Sequence, residues 1–522
     1  MSKVYRFLPP LLALWLVTWI VLSWAAIQDD ALIHLRYADN LFLTHHITYD
    51  GLHPSYGASS LLYVALLAFL RSFITSPNLP RAVSTAAHLL LFVGVALIFF
   101  RSIPQRASLA RLLVLTLLFF LSSPSSVRWL DDGMETGLAL CFVLTLCFTT
   151  FRESLRPATS AITYLAFTLL AFFTILLRTE LLLLAGLCFL ILTYRRAQLA
   201  GHSGHVVSSP RSWLPAALQS SHLLLGSLLA LALILLRMHV LLPDTALAKS
   251  HGPSVWPGVL DAAAITLAGA LSFGAGLLVF WLLTIFLLLR AHRLLSLPVL
   301  LANSVFPIVL TLAALRGQEI QGARYLVWTF FFSALWNILE LATPEPSQPI
   351  GTSSELPGKP LVYAFLVLFL LVQPVEARLM YRVLTARAHT LAFFETQHLN
   401  TLHGQLGVAF DVGYIGYFSQ ANICDLAGLV NGRDAARLTN DTRAAACAAR
   451  HPDFIFGNLS QIELMQRYMP LTGWQVCDHF NFVNVSNPDT HYLVLPPATA
   501  ASVCHQTSGE PPYPVSNLLP PA

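Results

Sequence analysis

Two adjacent carboxylates, Asp29 and Asp30, stand directly behind an apolar run of about twenty residues, in SWAAIQDDALIHLRYADNLF, residues 23–42. Paired acids can do three things. Held together, one of them rises in pKa and stays a useful proton acceptor. They can ligate a divalent cation such as Mg, Mn or Ca, with Glu135 as a further ligand. Or an Asp can cap the helix that follows it. Capping explains one Asp; it does not explain its neighbour, nor the His34 and Arg36 that follow. Asp30 and His34 are four apart and share a helix face. Beyond Asp30, Leu32, Leu35, Ala38 and Phe42 fall on one side and Arg36, Asp39 and Asn40 on the other, which predicts an amphipathic helix in the membrane interface.

Further ionisable residues recur near the ends of apolar runs. Asp132 and Glu135, in WLDDGMETG, form a second acidic group at the head of such a run, where an acid also suits a helix dipole. Lys249 is the only lysine between Lys3 and Lys359, and a lone ammonium there can meet an anion as a point charge or simply be solvated. Arg178 and Glu180 flank a break in LLRTELLL, either as an ion pair at a tight turn or with the arginine free for an anion. Arg324 opens another apolar run. The 18 histidines show no HExxH-type spacing.

The elements that position these residues are apolar. The chain is 56% hydrophobic and 11% charged over 522 residues, which predicts a polytopic α-helical membrane protein. Its net charge of +4 is spread over short loops and gives no basis for nucleic-acid binding. Apolar runs fall at 8–27, 59–75, 81–100, 107–122, 137–151, 160–177, 180–194, 214–241, 261–289, 297–315, 324–342 and 361–377. That corresponds to roughly 11–13 spans, the first an uncleaved helix. Lys3 and Arg6 place the N-terminus inside, so the acid pair and loop 28–58 emerge outside, as do loops near 123–136, 178–180, 242–258 and 316–323. One count conflicts: three runs lie between the first two of these loops, so one of them must be re-entrant or broken.

The chain divides into a transmembrane module, 1–384, and an outer α/β domain, 385–522, after a Pro/Ser/Gly linker at 343–360. GQLGVAFDVGYIGYF, NICDLAGLV, HPDFIFGN and HYLVLPP read as strands, GRDAARLTNDTRAAACAAR as a helix, and the last twenty residues as a loose tail. Cys424, Cys447, Cys477 and Cys504 all lie in this domain and suggest up to two disulfides, with three pairings open, in an oxidising compartment. Cys141, Cys147 and Cys188 lie inside apolar runs.

Residues 29–63, with their acid pair, RYADN helix and Gly/Tyr/Ser-rich return, resemble the first outer loop of GT-C superfamily membrane glycosyltransferases, and within them the bacterial arabinofuranosyltransferase-like proteins. DDGMETGLAL (131–140), LPDTALAKS (242–250) and GVAFDVGYIGYFSQANICDLAGLVN (407–431) resemble further motifs in the same order, although Asp244 stands where an Asn is usual. The resemblance implies sugar transfer from a polyprenyl-phosphate donor to a glycan, lipid or protein acceptor of the cell envelope, at the outer face of a bacterial inner membrane. Asp29 and Asp30 would be catalytic, with Asp132 and Glu135 as the second acidic motif. Lys249, Arg178 and Arg324 would meet the donor phosphate, supported by His34, Arg36 and Tyr56, while Asp411, Tyr414 and Tyr417 would bind acceptor. The chemistry asks for the same parts: a base for the acceptor hydroxyl and cations for the departing phosphate. The alternative, a transporter or flippase of lipid-linked sugars, would bury ionisable groups at mid-bilayer instead.

Overall fold

The computed structural model describes residues 4–104, 107–156, 160–201, 210–248, 276–315, 324–343, 358–396, 399–483, 488–507 and 512–518. The first helices are α1 (Val4–Leu22), α2 (Asp29–Thr44), α3 (Leu61–Arg71) and α4 (Leu79–Arg101). Next come α5 (Ser108–Leu121), α6 (Pro124–Leu130), α7 (Thr136–Glu153) and α8 (Ala161–Leu177). Then follow α9 (Leu182–Gly201), α10 (Pro210–Ser220), α11 (His222–Met238) and α12 (Asp244–Ala248). The helical part closes with α13 (Gly276–Arg290), α14 (Leu297–Leu315), α15 (Arg324–Ala342) and α16 (Lys359–Thr396).

Among the described residues, α4, α7 and α16 are long and apolar enough to cross a membrane. Two bent pairs, α5 with α6 at 66° and Trp213–Ser220 with α11 at 47°, raise that number to five. The other apolar helices have shorter described stretches, so the larger span number expected from hydropathy is only partly matched. Helix α3, inside the 59–75 run, is short. Its 11 residues rise about 17 Å, little more than half a hydrocarbon core of about 30 Å. The α5–α6 bend falls at Ser122–Ser123, where the Ser123 hydroxyl accepts the Ser126 N–H at 3.3 Å and Pro124 opens the new helix.

Helix α2 differs from its expected form. Ala31 through Ala38 are all buried, His34 and Arg36 included. An interfacial helix would leave its polar side in water; α2 instead lies between α3 of the bundle and a helix of the outer domain. The expected domain boundary also moves. Residues 384 and 385 fall inside α16, whose 38 residues run continuously for about 57 Å into the outer domain. At its far end Phe394 stacks on Tyr414, ring centroids 5.0 Å apart.

The outer domain holds one sheet of β1 (Leu406–Ala409), β2 (Asn422–Asp425), β3 (Phe454–Asn458), β4 (Gln475–Val483), β5 (Pro488–Leu495) and β6 (Tyr513–Pro514). The strand order is β2-β1-β3-β5-β4-β6, parallel over the first three strands and antiparallel over the rest. Part of the expected tail is therefore an edge strand. Helices α17 (Val412–Ser419), α18 (Arg433–Ala436), α19 (Asn440–Ala448), α20 (Leu459–Gln466) and α21 (Pro497–Thr507) surround the sheet. The segment DVGYIGYF, expected as strand, is α17. Disulfides join Cys424 to Cys447 and Cys477 to Cys504, tying β2 to α19 and β4 to α21.

The two glycines of α17 explain how the halves meet. A Cβ on Gly413 would lie 2.0 Å from the Asp29 carbonyl oxygen, and one on Gly416 would lie 1.8 Å from the Tyr49 hydroxyl. Only glycine lets α17 sit this close to α2. Gly413→Ala is expected to loosen the outer domain at a cost of about 1–3 kcal/mol. Thermal unfolding and limited proteolysis near α16 of the full chain, compared with Ser460→Ala on the exposed side of α20, measure this.

Candidate functional site

The acid pair is placed by the end of α1. The Arg81 side chain, fully buried on α4, donates to the Ala26 carbonyl and to the Ser23 hydroxyl at 2.6 Å, fixing the turn that delivers Asp29. Gln28 N–H then donates to the Asp132 carbonyl at 2.9 Å. Loops 28–58 and 123–136 thus meet at one end of the bundle.

Asp29 caps a helix, but not the one it begins. Its Oδ2 accepts Gly413 N–H at 2.9 Å and its Oδ1 accepts Tyr414 N–H at 2.7 Å, closing the N-terminus of α17. The Tyr414 hydroxyl returns to the Ile27 carbonyl at 2.9 Å. Burial first, and next the charge of Asp411, push the Asp29 carboxyl well above the ordinary range, while the two N–H bonds oppose this. Asp30 sits one residue on, half-buried. Its main-chain oxygen, not its carboxylate, lies 2.9 Å from His34 Nδ1. Because a carbonyl only accepts, Nδ1 carries the proton.

The second acidic motif rests on α4 and α3. The Ser84 hydroxyl accepts Gly133 N–H at 3.1 Å, and the Tyr63 hydroxyl donates to the Gly133 carbonyl at 2.7 Å. Gly133 has φ +90°, and a Cβ there would meet Ala31 of α2 at 2.8 Å. Asp131 pairs with His88 Nδ1 at 3.1 Å, both fully buried, and His88 Nε2 donates to the Leu121 carbonyl at 2.8 Å. Glu135 is buried, with its Oε2 3.9 Å from His34 Nε2 and its Oε1 3.2 Å from Arg178. Arg178 also reaches Glu180 at 2.5 Å across the turn Thr179–Leu181. The ion-pair reading of LLRTELLL therefore holds, and it extends to the second acidic motif.

The other expected residues divide. Arg36 is structural: it donates to the carbonyls of Tyr49 (2.8 Å), Gly416 and Ala421 (2.7 Å), and lies over the Tyr49 ring. Tyr56 is buried beside a groove, its main-chain N–H bonded at 2.8 Å to the carboxylate of Asp244. That bond brings loop 242–248 to the same end. Lys249 lies outside the described residues, and α15 begins at Arg324, whose side chain is likewise not described. Asp411 pairs with His491 at 2.8 Å, and Tyr417 lies near Arg71, itself bonded to Asp39. Tyr414 and Tyr417 are buried where the outer domain meets the bundle. Asp29, Asp30 and Glu135 do not gather as metal ligands; no trio of His, Cys, Asp or Glu does so among the described residues. No step below is routed through a metal.

A cationic cluster was not legible in the sequence. Arg387, from the far part of α16, lies close enough to Arg128 and Arg81 to repel both, and Asp132 attracts both of those. Arg387 also acts electrostatically on Tyr414. Its Nη1 is buried and has no hydrogen-bond partner among the described residues. Three arginines from three helices thus converge beside the two acidic motifs, Arg387 from more than 250 residues beyond the other two.

Residues 386–495 match the family described as Domain of unknown function (DUF8728). No curated protein matches the chain. The solved structures similar to this chain include two lipid-phosphate complexes. One is ArnT from Cupriavidus metallidurans bound to undecaprenyl phosphate, at 11% identity and TM-score 0.49, covering 92% of this chain and 96% of that one. The other is the archaeal oligosaccharyltransferase AglB from Archaeoglobus fulgidus in complex with an inhibitory peptide and a dolichol-phosphate, at 11% identity and TM-score 0.45, covering 94% of this chain and 74% of that one. At these scores neither likeness decides what the chain does.

One carboxyl yields a direct pH test. Asp425 accepts the N–H groups of Ala427, Leu429 and Val430, yet burial lifts it from 3.8 to about 6. Between those values the folded chain keeps a proton that the unfolded chain has released. Its contribution to stability is therefore full at low pH and falls as pH rises towards about 6. Thermal unfolding of Asp425→Asn should lack this component, its difference from the parent changing across that window and levelling above it.

Proposed function

We propose that this chain is a GT-C-type membrane glycosyltransferase that moves a sugar from a polyprenyl-phosphate donor to a cell-envelope acceptor. The observation that carries this reading is the meeting of both acidic motifs through the Gln28–Asp132 bond, with Arg81, Arg128 and Arg387 converging beside them. An acid pair alone could be a cap. Acids and cations together at one end of an apolar bundle suit a reaction that deprotonates a hydroxyl and expels a phosphate.

Asp30 is the base in this reading, because both carboxylate oxygens of Asp29 already accept N–H groups from α17. The acceptor hydroxyl gives its proton to Asp30, and its oxygen attacks the anomeric carbon. The carbon–oxygen bond to the phosphate breaks, and polyprenyl phosphate leaves with the electron pair, inverting that carbon. Arg387 and Arg128 take up the departing charge. Arg178 is less suited, since Glu135 and Glu180 already flank it. Lys249 follows α12 directly and remains a candidate second cation. The sugar, the acceptor, the outward orientation and the bacterial inner membrane belong to this proposal. A flippase is disfavoured by the position of the acids in loops and first turns rather than within spans.

The test is transfer by purified protein in detergent with a panel of polyprenyl-phosphate sugars. Asp30→Asn is expected to lower transfer by about 10²–10⁴-fold with unchanged thermal stability. Asp29→Asn should lower stability as well, because an amide N–H would face an N–H of α17, at about 1–3 kcal/mol. Arg387→Gln should weaken use of the donor more than it alters unfolding. Full activity in Asp30→Asn would refute the assignment of the base.

A further inference from the structure

A groove of about 630 Å³ opens where the ends of α2, α3, α8 and α11 meet the outer domain. Its floor is apolar, including Leu62, Leu176 and Leu233. Its polar wall carries Tyr56, Arg237 and, from the outer domain, Arg433. The Tyr56 hydroxyl and Arg433 Nη1 are both buried and have no hydrogen-bond partner among the described residues. Asp244 also lines the groove, but its Oδ2 accepts the Tyr56 N–H at 2.8 Å. Two arginines and one aspartate line the wall; Arg433 and Asp244 attract each other, and Glu180 acts on Tyr56. A buried guanidinium nitrogen and a buried phenol without partners are costly unless something bonds to them.

The groove is set apart from Asp30 along α2, although Glu180, the partner of Arg178, acts electrostatically on Tyr56 at its wall. Leu41, at its edge, lies eleven residues beyond Asp30 along α2, roughly 17 Å away. On α11, which supplies Leu233 to the floor, Leu228 is 63% and Leu236 74% exposed, as side chains that meet acyl chains are.

We infer that this groove binds an anionic membrane lipid, with the lipid phosphate on Arg433 and Tyr56 and its chain over Leu62, Leu176 and Leu233. Arg433 makes this a site that neither the bundle nor the outer domain forms alone. The inference depends on the chain lying in a bilayer and not on the transfer reaction, so loss of one reading leaves the other testable.

The experiment titrates the purified full chain in detergent with fluorescent phosphatidylglycerol, with phosphatidylcholine and free glycerol 3-phosphate as separate arms. Arg433→Gln is expected to weaken phosphatidylglycerol binding about tenfold, with Arg433→Lys in between. Tyr56→Phe, which removes an oxygen the fold does not bond, should weaken it about threefold without shifting thermal unfolding. Phosphatidylcholine should bind weakly to all four proteins. Unchanged phosphatidylglycerol binding in Arg433→Gln and Tyr56→Phe would overturn the inference. So would equal binding of the two lipids, or displacement by glycerol 3-phosphate at lipid concentrations, which would mark a site for a soluble anion.

Discussion

The carboxylate of Asp29 on the first turn of α17 is the contact on which the arrangement rests. It joins the residue that leaves the first apolar helix to the helix that begins the outer domain's docking face. Two N–H bonds and a helix dipole stabilise a charge that burial and Asp411 destabilise. Around it, Tyr49 donates to the Val412 carbonyl at 2.6 Å, and Arg36 bonds carbonyls at the far end of the same helix. The outer domain is therefore a structural part of the loop that carries the acids. Displacing it would release α2 and with it the position of Asp30.

This geometry divides the labour of the paired acids. Asp29 fixes the helix; Asp30, one residue on, is turned about a hundred degrees around the axis. The second acidic motif divides in the same way. Asp131 pairs with His88, the Asp132 carboxylate accepts Met134 N–H at 3.0 Å, and Glu135 lies between His34 and Arg178.

Much of the fold was legible because apolar runs and Gly/Pro punctuation are local signals. The four outer cysteines announced disulfides, though only the fold could choose the pairing. DVGYIGYF was misread because its small and aromatic residues suit a strand, whereas the glycines serve close helix packing against Asp29 and Tyr49. The run at 59–75 looked like a span by composition, but Arg71 ends its helix early and pairs with Asp39. Asp29 and Glu135 could be singled out from spacing. Arg81, Arg128, Arg387 and Arg433 could not, because each is an ordinary basic residue until the fold brings it to its neighbours. Asp411 pairs with His491 inside the outer domain, while Tyr414 and Tyr417 are buried where that domain meets the helical bundle.

A single measurement separates the central reading from its competitor. Purified protein would be placed in liposomes with a radiolabelled polyprenyl-phosphate sugar on one side and acceptor on the same side. The account predicts one sugar on the acceptor for each polyprenyl phosphate released, with the label in the covalent product. Movement of intact lipid-linked sugar across the bilayer, with no covalent product at any acceptor concentration, would contradict it.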